Sequence, residues 1–191
     1  MCDRSLSLCA AFCFAAFCAA QAPVIEWQKT FGGSDYDNAR SFAPTSDGGF
    51  VVAGSTRSAD GDVTNNHGGD DCWVVKLDPG GDPQWQRTLG GSSSEYASSI
   101  VPTSDGGYVL AAYTPSTDGD VTNSHGGGEY WVVKLDPGGS LQWQRTLGGS
   151  SSEYPSALAP TSDGGYVVAG YTYSTDGDVT NNHGNSDYWV E

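Results

Sequence analysis

Positively charged residues are scarce in this sequence. It contains 8 Lys and Arg against 23 Asp and Glu, which gives a formal net charge of −15 at pH 7. A surface of this sign repels the phosphates of DNA and RNA, so nucleic acid is not expected as a partner. Anionic lipid surfaces are disfavoured for the same reason. The acidity is compatible with a soluble surface that repels its own copies, or with cation binding by clustered carboxylates.

Cysteine is nearly absent beyond residue 20, where only Cys72 occurs. An internal disulfide is therefore excluded for that part of the chain. Residues 6–20 form an apolar run that is short for a membrane span, which needs about 20 residues. The run ends in Cys18-Ala19-Ala20, which resembles a cleavage site. We predict a signal peptide at residues 1–20, a secreted or cell-surface location and no membrane insertion. The alternatives are a buried apolar segment or a misplaced start.

Helical periodicity is also missing after residue 20, and a repeat of 58 residues stands in its place. Trp-Gln-Arg/Lys-Thr-Leu/Phe-Gly-Gly-Ser begins at Trp27, Trp85 and Trp143. Thr-Ser-Asp-Gly-Gly and Asp-Gly-Asp-Val-Thr-Asn recur at the same interval. A fixed period of this size is typical of propellers, solenoids and arrays.

The middle repeat predicts four short strands, at residues 96–101, 108–113, 129–136 and 141–147. Tight turns separate the first two and the last two, because Ser104-Asp105-Gly106-Gly107 and Asp136-Pro137-Gly138-Gly139 suit hairpin and turn geometry. The loop at residues 114–128 is polar. Small side chains in the first strand favour a crowded inner position, and the more polar fourth strand favours an outer edge. Four-stranded units that repeat radially are the blades of a β-propeller, with a β-solenoid as the alternative.

We therefore predict an all-β fold, a β-propeller or partial propeller of about three four-stranded antiparallel blades, preceded by the signal peptide. Residues 21–191 would form the propeller repeats. Within them, residues 24–35 would be the outer strand of an incomplete blade. Blade 1 would span residues 36–93, blade 2 residues 94–151, and a truncated blade 3 residues 152–191.

Three segments carry a resemblance to a known family. They are Tyr-Trp-Val-Val-Lys-Leu-Asp-Pro-Gly-Gly at residues 130–139, the Trp-Gln-Arg-Thr-Leu-Gly-Gly-Ser motif, and Thr-Ser-Asp-Gly-Gly-Tyr-Val-Val-Ala-Gly at residues 161–170. From Trp27 onward the chain resembles the β-propeller repeat family of secreted bacterial proteins. The resemblance implies a secreted or surface location, often within longer multidomain proteins. It implies no defined activity.

The ends of the repeats permit two interpretations. The sequence starts in a predicted fourth strand and stops at Glu191 within a predicted third strand, which favours a fragment of a longer propeller. Alternatively, the N-terminal strand completes the blade begun by the C-terminal strands. That arrangement gives three blades per chain, so a homodimer could complete one six-bladed ring.

The loop between the second and third strands carries the densest polar residues. We count Asp60, Asp118 and Asp176 as position one of the loop in the three repeats. Oxygen-bearing side chains then fall at positions one, three, five and seven, with an acid at twelve, and this spacing resembles a calcium-binding loop. Against calcium, position six is Asn rather than Gly, and a solvated loop of Asx turns explains the same residues. The candidate ligands for Ca²⁺ are Asp60, Asp62, Asp71, Asp118, Asp120, Glu129, Asp176, Asp178 and Asp187.

No catalytic constellation is evident. The sequence has no G-x-S-x-G, H-E-x-x-H or P-loop motif, and near-identical repeats present the same groups several times. The residues that break the repeat form no nucleophile–base set; they are Arg40, Arg57, Cys72, Asp82 and Tyr173. We predict a non-enzymatic recognition or scaffold module that binds a protein or carbohydrate ligand through blade loops. Tyr171 and Tyr173, at the edges of loops, are better candidates for contacting a ligand than the tryptophans, which alternate with Val and Leu in the predicted strands. A calcium-stabilised propeller and a fragment of a glycoside-acting propeller enzyme remain alternatives.

Overall fold

The computed structural model describes residue 22 and residues 24–191. The predicted signal peptide, at residues 1–20, lies outside the described residues. The described part of the chain is all β, with eleven strands, antiparallel pairing throughout and no helix. Consequently, no helix long and apolar enough to cross a membrane is found in that part.

The strands form three sheets, and within each sheet they lie side by side in chain order. The first sheet contains β1 (Asp37–Pro44), β2 (Phe50–Thr56), β3 (Asp71–Leu77) and β4 (Pro83–Leu89). The second contains β5 (Tyr96–Pro102), β6 (Tyr108–Thr114), β7 (Glu129–Leu135) and β8 (Leu141–Leu147). The third contains β9 (Glu153–Pro160), β10 (Tyr166–Thr172) and β11 (Asp187–Val190).

The four strands predicted for the middle repeat are confirmed to within one residue. The turn chemistry explains this accuracy. Gly106 has a φ of 84° and Gly139 has a φ of 84°, so both occupy the left-handed region that glycine adopts without strain. The fourth strands β4 and β8 lie at sheet edges, as do the first strands β1 and β5.

The predicted outer strand at residues 24–35 is not formed. The first strand begins at Asp37, and residues 24–31 carry no strand pairing. A strand requires the backbone of a partner, and no third strand lies beside this segment. The segment nevertheless packs on the first sheet. The Trp27 ring lies 6.0 Å from that of Phe50, and Phe31 contacts the apolar cluster around Trp73.

The core lies between successive sheets. One apolar cluster joins the first and second sheets, and another joins the second and third. Strand β7 is buried along its whole length because the second sheet is covered on both faces. This explains why the middle repeat reads as apolar on both faces of its strands.

The first strands of successive sheets lie next to one another. Strand β5 contacts β1, and β9 contacts β5. At one such contact the Ile100 amide donates to Ser41 Oγ at 3.2 Å. Each of these strands contains a β-bulge at the same repeat position, and the extra residues are Arg40, Ser98 and Ser156.

Candidate functional site

The three bulges line a shared concavity of about 530 Å³. A β-bulge turns its extra residue out of the ladder and re-aims the side chain. Here Arg40, Ser98 and Ser156 all contribute to the wall of the concavity. Because the bulges sit on the adjacent first strands, the fold brings together residues 58 positions apart in sequence.

Four tyrosines on β5, β6, β9 and β10 form the rest of the wall; they are Tyr96, Tyr113, Tyr154 and Tyr171. We call these four residues the tyrosine row. Neighbouring ring centroids along the row are 6.2, 4.8 and 5.1 Å apart, and neighbouring planes are within 25° of parallel. Stacking of this kind holds the rings in fixed orientations. Tyr96 and Tyr171, at its two ends, are exposed.

The charge in the concavity comes from Arg40, which is the one charged side chain among the described residues that line it. Nearby, the Arg57 guanidinium pairs with Asp70 Oδ2 at 2.7 Å, and the Tyr96 hydroxyl lies 3.4 Å from the same oxygen. That ion pair fixes one end of the tyrosine row. Arg40 thus places a positive charge in this concavity, in a chain whose net charge is −15.

The structure separates the two tyrosines that the sequence singled out. Tyr171 lines the concavity. Tyr173 lies edge-on to Tyr171, with 5.9 Å between ring centroids, and supports it from outside the wall. Arg40 and Arg57 were identified from the sequence as residues that break the repeat. The position of Tyr96, Tyr113 and Tyr154 in one row was missed, because it depends on packing between sheets.

The first two acids of each predicted calcium loop hold the segment that joins one sheet to the next. Asp118 Oδ1 accepts the Ser92 amide at 2.7 Å, and Asp120 Oδ2 accepts the Gly90 amide at 3.2 Å. The same two bonds recur with Asp60 and Asp62 at residues 32–34, and with Asp176 and Asp178 at residues 148–150. These amide donors lower the pKa of Asp60, Asp118 and Asp176.

The acid at position twelve of each loop turns toward its own histidine. Asp71 Oδ2 accepts the His67 amide at 2.7 Å, and Asp187 Oδ2 accepts the His183 amide at 2.7 Å. Glu129 Oε1 accepts from Ser124 Oγ at 3.0 Å and from the His125 amide. Asp71 and Glu129 are fully buried, whereas Asp187 is half-buried.

The loop acids therefore point in two directions rather than toward one centre. Within residues 24–191, no group of three or more His, Cys, Asp or Glu side chains is placed to hold a metal ion. The carboxylates at positions one and three are occupied by backbone amides of the preceding segment. Calcium binding by these residues stays a prediction from sequence.

A second set of buried acids was missed by sequence reasoning. Glu95 immediately precedes β5 and Glu153 is the first residue of β9, and both are fully buried. Glu95 accepts from Ser116 Oγ at 2.6 Å, Thr114 Oγ1 at 2.9 Å and the Gly91 amide at 2.9 Å. Burial raises the pKa of Glu95 despite these donors. The recurring Ser-Glu-Tyr at residues 94–96 and 152–154 was the available signal.

No protein-family model matches the chain, and no curated protein matches it with significant similarity.

Proposed function

We propose that the three sheets are blades of a β-propeller and that the chain is a non-catalytic recognition module acting outside the cell. The blade assignment is supported by the four-stranded sheets, their face-to-face packing and the adjacency of their first strands. The location rests on the predicted signal peptide. The resemblance of the repeats to those of secreted bacterial proteins supports both.

The tyrosine row carries the proposal for binding. Its concavity, about 530 Å³, is within the range of roughly 300–1,000 Å³ that small-ligand sites occupy. Within the row the rings stack on one another, so the exposed rings at its two ends, Tyr96 and Tyr171, are the ones that can contact the C–H faces of sugar rings, and the hydroxyls add hydrogen bonds. A concave surface of this size fits a few sugar units better than a flat protein epitope. We therefore propose a glycan as the ligand.

Arg40 supports a further feature of that ligand. A guanidinium presents several donors in a planar fork, which suits a carboxylate or a pair of hydroxyls. Ser98 and Ser156, at the equivalent positions of the other sheets, offer single hydroxyls, although the Ser98 hydroxyl donates its hydrogen to the Ala111 carbonyl and so offers a ligand only an acceptor. The concavity thus combines stacking surfaces with donors at its inner strands, and it would favour acidic or hydroxyl-rich glycans.

A glycan array followed by calorimetric titration of the strongest binder tests the proposal. Tyr171→Ala removes an exposed stacking face and should weaken binding about 10-fold or more, which corresponds to at least about 1.4 kcal/mol. Tyr171→Phe keeps the ring and should retain most of the affinity. Arg40→Ala should also weaken binding, whereas Arg145→Ala, an exposed arginine on β8, should not.

Two results would contradict the proposal. One is an array without binding above background for the folded protein. The other is a ligand whose affinity is the same for Tyr171→Ala and Arg40→Ala as for the unaltered chain, because binding would then lie elsewhere. Chromogenic glycosides tested in parallel should show no turnover, and hydrolysis would favour the enzyme alternative.

A further inference from the structure

The outer face of the third sheet is apolar and uncovered, although it repeats a face that is buried inside the molecule. Residues 58 positions apart occupy the same register in successive sheets. Tyr188 and Val190 are 96% and 61% exposed. Their counterparts in the second sheet, Tyr130 and Val132, are 0% and 6% exposed because the third sheet covers them.

The opposite face of the first sheet is covered only in part, because residues 24–31 pack on it and leave Trp73 7% exposed while the β1 end stays open. Phe42 is 69% exposed, whereas its counterpart Ile100 is 2% exposed beneath the first sheet. Beside this face lies a groove of about 300 Å³, whose apolar walls include Trp27, Phe31 and Trp73. The corresponding face of the second sheet is filled by apolar side chains of the first, namely Val51, Ala53, Cys72 and Val74.

Backbone strand pairing is also unsatisfied at both places. Strand β11 is a sheet edge, paired only with β10, and residues 24–31 have no strand partner in the described chain. In the first sheet Cys72 pairs with Leu89, Trp73 with Thr88, and Val74 with Arg87. Tyr188, Trp189 and Val190 lie two repeats after the three β3 residues, and Phe31, Thr30 and Lys29 lie one repeat before the three β4 residues. The same pairing would therefore place Tyr188 opposite Phe31, Trp189 opposite Thr30 and Val190 opposite Lys29.

We propose that a second copy of this chain docks end to end, with the outer face of its first sheet on the outer face of the third sheet. Residues 24–31 of the second copy then add as a fourth strand beside β11. The occupant is a second copy because both halves of the contact are present on one chain. The internal interfaces join the repeat equivalents of these two faces, and they serve as the template for the contact.

The internal contact between the second and third sheets predicts the details. There the Tyr130 ring lies 4.7 Å from the Trp189 ring, and its hydroxyl lies 3.2 Å from the Trp189 carbonyl. The equivalent pair is Tyr188 of one copy on Trp73 of the other. Because the contact joins two different faces, two copies related by a two-fold axis can use both faces of each and leave none open.

Light scattering and sedimentation of the purified protein should give the mass of two chains. Phe42→Asp and Tyr188→Asp should each raise the dissociation constant at least about 30-fold, because each introduces a charge into an apolar contact. Both side chains are exposed in a single copy, so both variants should fold, as circular dichroism can verify. Ser46→Asp, an exposed position in the β1–β2 turn, adds the same charge and should leave the mass unchanged.

Mixing the two variants tests the direction of the contact. The Phe42→Asp chain keeps an intact third-sheet face, and the Tyr188→Asp chain keeps an intact first-sheet face. An equimolar mixture should therefore form a mixed pair, although neither variant pairs alone. A contact between two identical faces would not be restored by mixing.

A single-chain mass for the unaltered protein at tens of micromolar would overturn the proposal. A two-chain mass that neither substitution changes would overturn it as well. The proposal is independent of glycan binding, which is measured separately and involves none of the substituted residues.

Discussion

Asp71 is a carboxylate that folding buries without a partner for one of its oxygens. Among the described side chains, Asp71 Oδ1 is the buried polar atom that has no hydrogen bond. A β-carbon placed on Gly90 would touch both this oxygen and Glu95 Oε2, so the two carboxylates are neighbours. Burial raises the pKa of Asp71 and of Glu95. The charge of Asp71 raises the pKa of Glu95 further, and the charge of Asp120 does the same for Asp71. In the second sheet the longer Glu129 occupies this position.

We predict that Asp71→Asn stabilises the protein at pH 7. The amide oxygen can still accept the His67 amide, while the NH₂ group can donate to Glu95 and no charge is left unpaired. Thermal unfolding should show a midpoint a few degrees higher than that of the unaltered chain. Glu26→Gln removes one exposed carboxylate and serves as the control, with no expected change.

The pH dependence of this gain follows from the raised pKa of Asp71. Above the folded-state pKa, the unaltered protein carries a buried charge that the unfolded chain hydrates freely, so the native state is penalised. Below the ordinary value of 3.8, Asp71 is neutral in both states and the penalty is gone. The advantage of Asp71→Asn should therefore be full above the folded-state pKa and should shrink as the pH falls from there toward 3.8. If Asp71→Asn unfolds at a lower temperature than the unaltered chain at pH 7, the buried charge of Asp71 does not destabilise the native state. The other titratable groups around this carboxylate are Glu95, His67, Asp120 and Cys72.

At the scale of elements, the loops between second and third strands act as clamps between sheets. Asp118, on the second sheet, bonds the amide of Ser92 in the segment that leaves the first sheet. Beside it a β-carbon on Gly91 would clash with the Asp118 backbone, so this segment must approach closely. The loop therefore contributes to the packing of one sheet on the next.

Asp118→Ala should lower the unfolding midpoint by a few degrees, since the Ser92 amide loses its acceptor. Asp118→Asn should lower it less, because the amide oxygen can still accept. The amide lowers the pKa of Asp118, so its contribution is complete above the ordinary value of 3.8 and is lost as the pH falls through the lowered pKa. Equal stability of all three proteins at pH 7 would rule out the clamp.

Sequence reasoning succeeded where local chemistry decides the structure. Alternation and glycine turns located the strands of the middle repeat, because strand and hairpin geometry depend on near neighbours in sequence. It failed where distant segments decide. The acids at loop positions one and three bond amides 26 or 30 residues earlier, so their calcium-like spacing did not reveal their partners. The tyrosine row was missed for the same reason, since it joins two sheets.

At the scale of the molecule, the three sheets form a stack in which each sheet contacts its neighbours through opposite faces. Each interface then contributes its own share of stability, as in other repeat proteins. The same repeat position is occupied by Val74, Val132 and Val190. Val74 lies under the second sheet, Val132 under the third, and Val190 on the uncovered face. These three valines are a matched set for measuring the interfaces.

Truncating each valine to alanine should give a graded result that also reports on the second copy. Val74→Ala and Val132→Ala should each reduce the free energy of unfolding by about 1–3 kcal/mol, through lost burial and the cavity left behind. Val190→Ala should have almost no effect in dilute protein, because the side chain is exposed in a single chain. At concentrations where two chains pair, native-state association stabilises the fold, and Val190→Ala should then lower the unfolding midpoint. Denaturant melts over a hundredfold range of protein concentration would measure this. A loss for Val190→Ala that is already complete in dilute protein would mean that its own chain covers this face, and the end-to-end contact would then have no surface to use.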